Sequence, residues 1–311
     1  MRISALAETG LGISEDQITT LFAPFVSQPS GAFDPLWRQE ITRRRLKHLR
    51  HAARRLFMGW LPETRRDEDT VRTEYERGWA GIDYARYTLD APLDGATPWE
   101  WRGRQMFATD TGATRVRQLF LIRILERLRP RSVLEVGCGN GINLLLLAGR
   151  FPQIAFSGLE LTEAGHAAAV AFQRHAALPR EMKAYAPEPI DDPQAFKRIA
   201  FVQGNAIAMP FADGAIDLVY TTLALEQMER VRGAALSEIA RVAGRNTFMV
   251  EPFRDVNKAF WPRLYVYRRN YFRGAIDDLE HYGLRPVLAT DDFPQEVFLK
   301  ACAVLTEKKS A

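Results

Sequence analysis

The stretch SVLEVGCGNGINLLLLA, residues 132–148, sets Gly137, Gly139 and Gly141 at alternate positions between a strand-like apolar run and a helix-like one. Glycine has no Cβ, so such a turn lets a ligand lie against the backbone at the positive end of the helix dipole. A dinucleotide fingerprint would place its third glycine one position later and offer the helix N-terminus to a pyrophosphate. Here Glu135 precedes the first glycine. That acid repels phosphate but can hold an ammonium group, directly or through water. Glu160 closes the next run, FSGLEL, where a carboxylate can accept both hydroxyls of a ribose. Asn205 and Ala206 follow a third run, FVQGNA, and offer a side-chain amide and a backbone N–H to an adenine edge.

Ammonium, ribose and adenine together describe S-adenosylmethionine. Holding them at one place requires strands whose carboxyl ends lie side by side. From the helix-like TGATRVRQLFLIRILERLRP onward, strand-like runs alternate with helix-like ones: SVLEVG, IAFSGLEL, RIAFVQGNA, IDLVYTTLAL and NTFMVEPF are strands. EAGHAAAVAFQRHAA and MERVRGAALSEIARVA are crossover helices, and the tail adds a helix around residues 271–283 and the strands PVLATDD and VFLKACAVLTEK. This alternation predicts an α/β fold with a doubly wound, mainly parallel sheet, whose ligands bind at the switch point of strand order. The Pro-rich stretch at 178–198 is expected to be a surface loop.

Residues 1–105 read differently, as an N-terminal helical cap on a domain spanning 106–311. Within it, residues 38–57 form an Arg-rich helix with Leu46, Leu49, Ala53, Leu56 and Trp60 on one face and Pro62 as its stop. A solvated amphipathic helix is the plain reading, and a dock for an anionic surface is the functional one. The segment from Tyr75 to Trp101 is rich in Tyr and Trp, and Tyr84 and Tyr87 are its candidates for a lid that meets substrate.

The bulk numbers set the remaining bounds. A chain of 311 residues, 47% hydrophobic and 26% charged, is globular, and a net charge of +4 is too weak to argue for nucleic acid. Its start lacks the charged-then-apolar order of a secretory signal and no apolar run is long enough to span a bilayer, so the expectation is cytoplasmic. Two cysteines, Cys138 and Cys302, make no disulfide framework, and the five histidines form no metal-binding group, so no metal is expected.

The order VLEVGCGNG, a strand ending in Glu160, GNAIAMPFADGAIDLVY and LALEQM resembles the class I S-adenosylmethionine-dependent methyltransferases, in particular the type 11 branch. The resemblance runs from about residue 110 to the end. It implies a Rossmann-like seven-stranded sheet. It also implies that Glu135, Gly137, Gly139 and Gly141, with Cys138 and Asn140 between them, line the methionine and ribose end. Glu160 and the adjacent Leu161 would meet the ribose, Asn205 and Ala206 the adenine, and Thr221, Thr222 and Leu223 the face near the sulfonium. Two positions depart from the family pattern. Asn205 stands where Asp is common, and Gln227 where many relatives carry a histidine, so no proton transfer is available there.

The reaction implied is methyl transfer to an oxygen or nitrogen of a small-molecule acceptor. Methylation of RNA or protein, or an inactive cofactor-binding scaffold, are the alternatives. A base, if one is used, is sought among Glu226, Glu251, Tyr265, Tyr267 and Tyr271. The aromatic and Arg-rich stretch 251–274 is expected to wall the acceptor site, with Arg254, Trp261, Arg268 and Tyr271 favouring an anionic acceptor.

Overall fold

The computed structural model describes residues 1–30, 34–58, 73, 76–78 and 84–309. The chain opens with helix α1 (Glu15–Phe22), held by a reciprocal cap between Ser14 and Gln17. Strand β1 (Val26–Ser30) and the long helix α2 (Pro35–Met58) follow. Strands β2 (Thr97–Trp101) and β3 (Arg104–Ala108) lead into α3 (Asp110–Leu128), β4 (Ser132–Val136) and α4 (Ile142–Arg150). Next come β5 (Ala155–Glu160), α5 (Glu163–Phe172), α6 (Arg180–Tyr185), β6 (Ala200–Gln203) and β7 (Ile216–Thr222). The chain closes with α7 (Arg232–Val242), β8 (Ala243–Glu251), α8 (Phe260–Arg269), β9 (Leu284–Thr290), β10 (Gln295–Glu296) and β11 (Cys302–Lys308).

Seven strands form one sheet in the order β6-β5-β4-β7-β8-β11-β9. Strands β4 to β8 pair in parallel, and β11 runs antiparallel to both its neighbours. This is the doubly wound architecture expected. Alternate side chains face opposite sides of the sheet. Val133 shares a core with Leu119, Leu144 and Leu145 of α3 and α4, whereas Leu134 and Val136 belong to a separate core with Leu236 and Ile239 of α7. Strand β4 has β5 on one side and β7 on the other, so the glycine turn after β4 stands at the switch point.

The N-terminal region contains strands as well as helices. β1, β3, β2 and β10 form a second, antiparallel sheet in that order. Arg102 and Gly103 both take positive φ, 47° and 75°, which is the two-residue turn that closes the β2–β3 hairpin. Trp99 and Trp101 are buried on one face of it, and the Trp99 ring lies 5.6 Å from that of Phe22. The expected boundary at residue 105 therefore falls within β3.

Three local expectations come out differently. The stretch 178–198 is not a plain loop: it carries α6 and a 3-10 turn at Ala195–Arg198, and its Met182, Tyr185 and Phe196 are buried. In the tail, residues 271–283 hold only a 3-10 turn (Asp277–Tyr282), and a full α-helix precedes them as α8, stopped by Asn270 at φ 53°. On α2 the buried side chains are Trp37, Ile41 and His48, while Leu46, Leu49 and Ala53 face outward. The Leu56 side chain, Trp60, Pro62 and Tyr75 lie outside the described residues.

Candidate functional site

A cavity of about 390 Å³ opens at the carboxyl ends of β4, β5 and β7, a size suited to a ligand of several hundred daltons. Its floor is the glycine turn, with Gly137, Gly139 and Gly141 at φ 75°, 54° and 78°. A Cβ on Gly137 would lie 2.6 Å from the Cβ of Ala224, and one on Gly141 2.8 Å from the Phe201 ring. Neighbouring strand tips hold the turn in place. Gly137 and Cys138 donate their amides to the Leu159 carbonyl at 2.8 and 3.1 Å, and Gly139 donates to Oε2 of Glu160 at 2.8 Å. The other Glu160 oxygen accepts from the amide and hydroxyl of Thr162 at 2.9 and 2.5 Å.

Glu135 is buried beneath this turn, where Asn143 donates to its Oε1 at 2.7 Å and Gln118 donates in turn to Asn143 at 3.2 Å. Burial pushes its carboxyl up to about 8, and the Asn143 bond pulls the other way. On the far wall Asn205 turns its chain by accepting from Ile207 N–H at 3.1 Å, beside the buried Ala206. Leu161, Asn140, Thr222 and Leu223 also line the cavity. Thr221 does not; it is fully buried, next to Glu251.

Glu251 has a different task from the one its acidity suggested. Its oxygens accept from the backbone amides of Ala224, Leu225 and Glu226 at 3.0, 3.2 and 3.2 Å, so it clamps the turn after β7. Burial, then the neighbouring Glu226, push it up to about 8. Of the five candidate bases, Glu226 is the one on the cavity wall, and the Gln227 amide donates to its Oε1 at 2.6 Å.

The stretch 251–274 largely stays out of the cavity, to which it contributes Asn270. Arg254 is exposed, with its amide on the Gly274 carbonyl at 2.9 Å. Trp261 lies under Arg45, and Arg268 lies over the Tyr265 ring. Tyr265 packs between Tyr271 and His48, and burial raises its hydroxyl. Tyr271 accepts from Arg269 at 3.0 Å, and Tyr267 is exposed. Trp261 and Tyr265 meet Arg45 and His48 in an α2–α8 contact, while Asn270, the αL stop of α8, reaches the cavity wall.

Helix α3 supplies the wall that the sequence reading did not assign. Asp110, Thr114 and Arg117, at steps of four and three, face the cavity; they lie in the polar first half of the helix, where periodicity alone does not single them out. Arg117 donates Nη2 to Thr114 at 2.9 Å, while its buried Nε has no hydrogen-bond partner, and burial lowers its pKa. Arg86, paired with Asp110 at 2.9 Å, and Tyr87 complete that side. Tyr84 covers the glycine turn: its hydroxyl donates to the Asn140 carbonyl at 2.7 Å and its ring packs on Phe172. Glu76 accepts from the amides of Glu163 and Ala164, which tethers the N-terminal region to the helix following Glu160.

The family model described as a methyltransferase domain matches residues 134–250, which span the glycine turn, Glu160, Asn205 and the turn after β7. Residues 134–250 are a methyltransferase domain. Its cofactor is S-adenosylmethionine. The residues present fit that group: a floor with a glycine at every second position, carboxylates at the tips of β4 and β5, and partnerless buried polar atoms on the wall, Thr222 Oγ1 and Arg117 Nε. The chain is similar in fold to the (4+2)-cyclase SpnF, with TM-score 0.52, 14% identity, and coverage of 78% of this chain and 96% of that one. Magnesium protoporphyrin IX methyltransferase (ChlM) of Synechocystis PCC 6803, solved with bound SAH, gives 0.48, 12%, 78% and 100%. A SAM-dependent methyltransferase of Methanosarcina mazei gives 0.46, 12%, 60% and 98%. At such identities the likeness is one of fold alone. No curated protein matches the chain in sequence. Among the described residues no helix is long and apolar enough to cross a membrane, and no group of three His, Cys, Asp or Glu could hold a metal.

Proposed function

We propose that this chain methylates an oxygen or nitrogen of a small, anionic acceptor, as a cytoplasmic enzyme. The observation that carries the reading is the two-sided cavity, with the glycine turn on one side and Tyr87, Thr114 and Arg117 on the other. The bound cofactor would supply a sulfonium methyl group, already reactive, so the protein's work is alignment and exclusion of water. Glu135 and the turn of Gly137, Cys138, Gly139, Asn140 and Gly141 would hold its methionine end. Glu160 with Leu161 would take the ribose hydroxyls, and Asn205 with Ala206 the adenine edge. Thr222 and Leu223 would border the methyl group.

On the acceptor side, a buried guanidinium with a free Nε favours an anion. Glu226, oriented by Gln227, is placed to take a proton from a hydroxyl or amine. Tyr87 borders the same space and Tyr84 covers the glycine turn, both from the N-terminal region, which suits a small acceptor better than RNA or a protein. Since a cyclase shares this fold, turnover has to be measured directly. The test is calorimetric titration with S-adenosylmethionine and S-adenosylhomocysteine, then formation of S-adenosylhomocysteine with a panel of small acids, alcohols and amines. Binding followed by acceptor-dependent turnover supports the reading. Binding without turnover on any acceptor class favours a scaffold, and turnover on RNA or protein alone moves the acceptor to that class.

A further inference from the structure

Helix α2 has two apolar sides. At 100° per residue, Trp37, Ile41 and His48 share the side that packs on the protein, against Phe298, Phe107 and Tyr265. Leu46, Leu49, Ala53 and Phe57 share the opposite side, and all are exposed, Phe57 at 77%. Arg43, Lys47, Arg50 and Arg54 run along one flank of that outer stripe at steps of four, three and four, and Arg38 and Arg45 along the other. The helix carries eight cations against one acid, Glu40, which is taken up by Arg43 and Arg44. Among the described residues no carboxylate lies within ion-pair distance of Lys47, Arg50 or Arg54. The neighbouring α8 adds exposed Phe260 and Tyr267, so among the described residues the exposed large apolar side chains other than Met1 belong to these two helices.

We propose that the outer face of α2 docks this protein in the plane of an anionic lipid bilayer. An apolar stripe flanked by cations is what such an interface recognises: the leucines and Phe57 enter the acyl boundary and the arginines meet headgroup phosphates. Nucleic acid would use the cations but has no use for an outward stripe of Leu46, Leu49 and Phe57. A solvated helix has no need to line Leu46, Leu49, Ala53 and Phe57 along one outward side. The inference is independent of the reaction assigned to the cavity, since α2 contributes no residue to it.

The test is co-sedimentation of the full chain with vesicles of phosphatidylglycerol and phosphatidylcholine, and with phosphatidylcholine alone. Two variants accompany it: Leu46→Ser with Leu49→Ser and Phe57→Ser, and Lys47→Gln with Arg50→Gln and Arg54→Gln. All six positions are exposed, and thermal unfolding checks that each variant is folded. The expected result is binding to the anionic vesicles only, weakened about tenfold or more by the apolar variant and roughly a hundredfold at low salt by the charge variant. Binding unchanged in the apolar variant would reduce the effect to charge adsorption and overturn the proposal. So would wild-type protein that ignores the vesicles, whether it stays free, self-associates through this face in sedimentation, or is retained by RNA.

Discussion

The backbone amide of Gly139 donates to Oε2 of Glu160 across 2.8 Å, so a carboxylate at the tip of β5 secures the glycine turn at the tip of β4. Glu160 is thus a tether, and under the proposed function it is also the acceptor for the ribose hydroxyls. Glu160→Ala is expected to weaken S-adenosylmethionine by about 1–3 kcal/mol, and Glu160→Gln by less, because an amide oxygen can still accept from Gly139. Calorimetric titration reads both, and an unchanged Kd in the Ala variant would remove Glu160 from the site.

Gly137 combines φ 75° with an Ala224 Cβ only 2.6 Å from where its own Cβ would stand. Gly283 has nearly the same φ, 74°, with nothing within 4 Å. Gly283→Ala therefore reports backbone strain alone, about 1 kcal/mol. Gly137→Ala adds overpacking of about 1–3 kcal/mol and should lower Tm further and abolish cofactor binding. Equal Tm losses in the two variants would refute the close approach.

Glu135 and Glu251 are both pushed up to about 8 from an ordinary 4.5. In the folded protein they hold protons that the unfolded chain has already released above 4.5, so stability is complete below that pH and is lost as pH rises toward about 8. Glu251→Gln removes one of the two and should flatten the decline. Urea unfolding of wild type and variant across this window checks it, and parallel curves would place the Glu251 carboxyl in its ionised form throughout.

Arg117 leaves a buried Nε without a partner on the cavity wall. Burial lowers the Arg117 pKa against the pull of Asp110 and Glu226, so replacing this cation by an apolar side chain relieves desolvation. Arg117→Met is expected to leave the free protein at least as stable, and to weaken the ligand whose carboxylate it meets by about 2 kcal/mol. Loss in the S-adenosylmethionine titration assigns it to the cofactor, and loss only in acceptor KM assigns it to the acceptor. A destabilised variant with both affinities intact would make Arg117 structural.

The glycine-turn side of the cavity was legible because its information is local. Gly137, Gly139 and Gly141 are required by one turn, and Glu160 and Asn205 each end a strand whose apolar run is visible in the sequence. The opposite wall was not. The stretch 251–274 carries the right residue types, yet Trp261 and Tyr265 pack on α2, Arg268 and Tyr271 pack on Tyr265, and none of them lines the cavity. Conversely, nothing local marks Arg117, which stands 18 positions before Glu135 and meets the cavity only because α3 packs across β4.

The amino-acid sequence by itself determined the alternation of strands and helices, the glycine turn and the carboxylates beside it. Periodicity and turn chemistry act over a few residues, and parallel strands then align their tips. The tertiary structure alone decided which side of α2 is buried, since two apolar stripes compete for one core and only the side bearing Trp37, Ile41 and His48 finds partners. It also decided that Glu251 clamps a turn instead of meeting a substrate, because the amides it accepts belong to residues some 25 positions away. Burial and long-range hydrogen bonds depend on which segments pack together, and no window of sequence contains that.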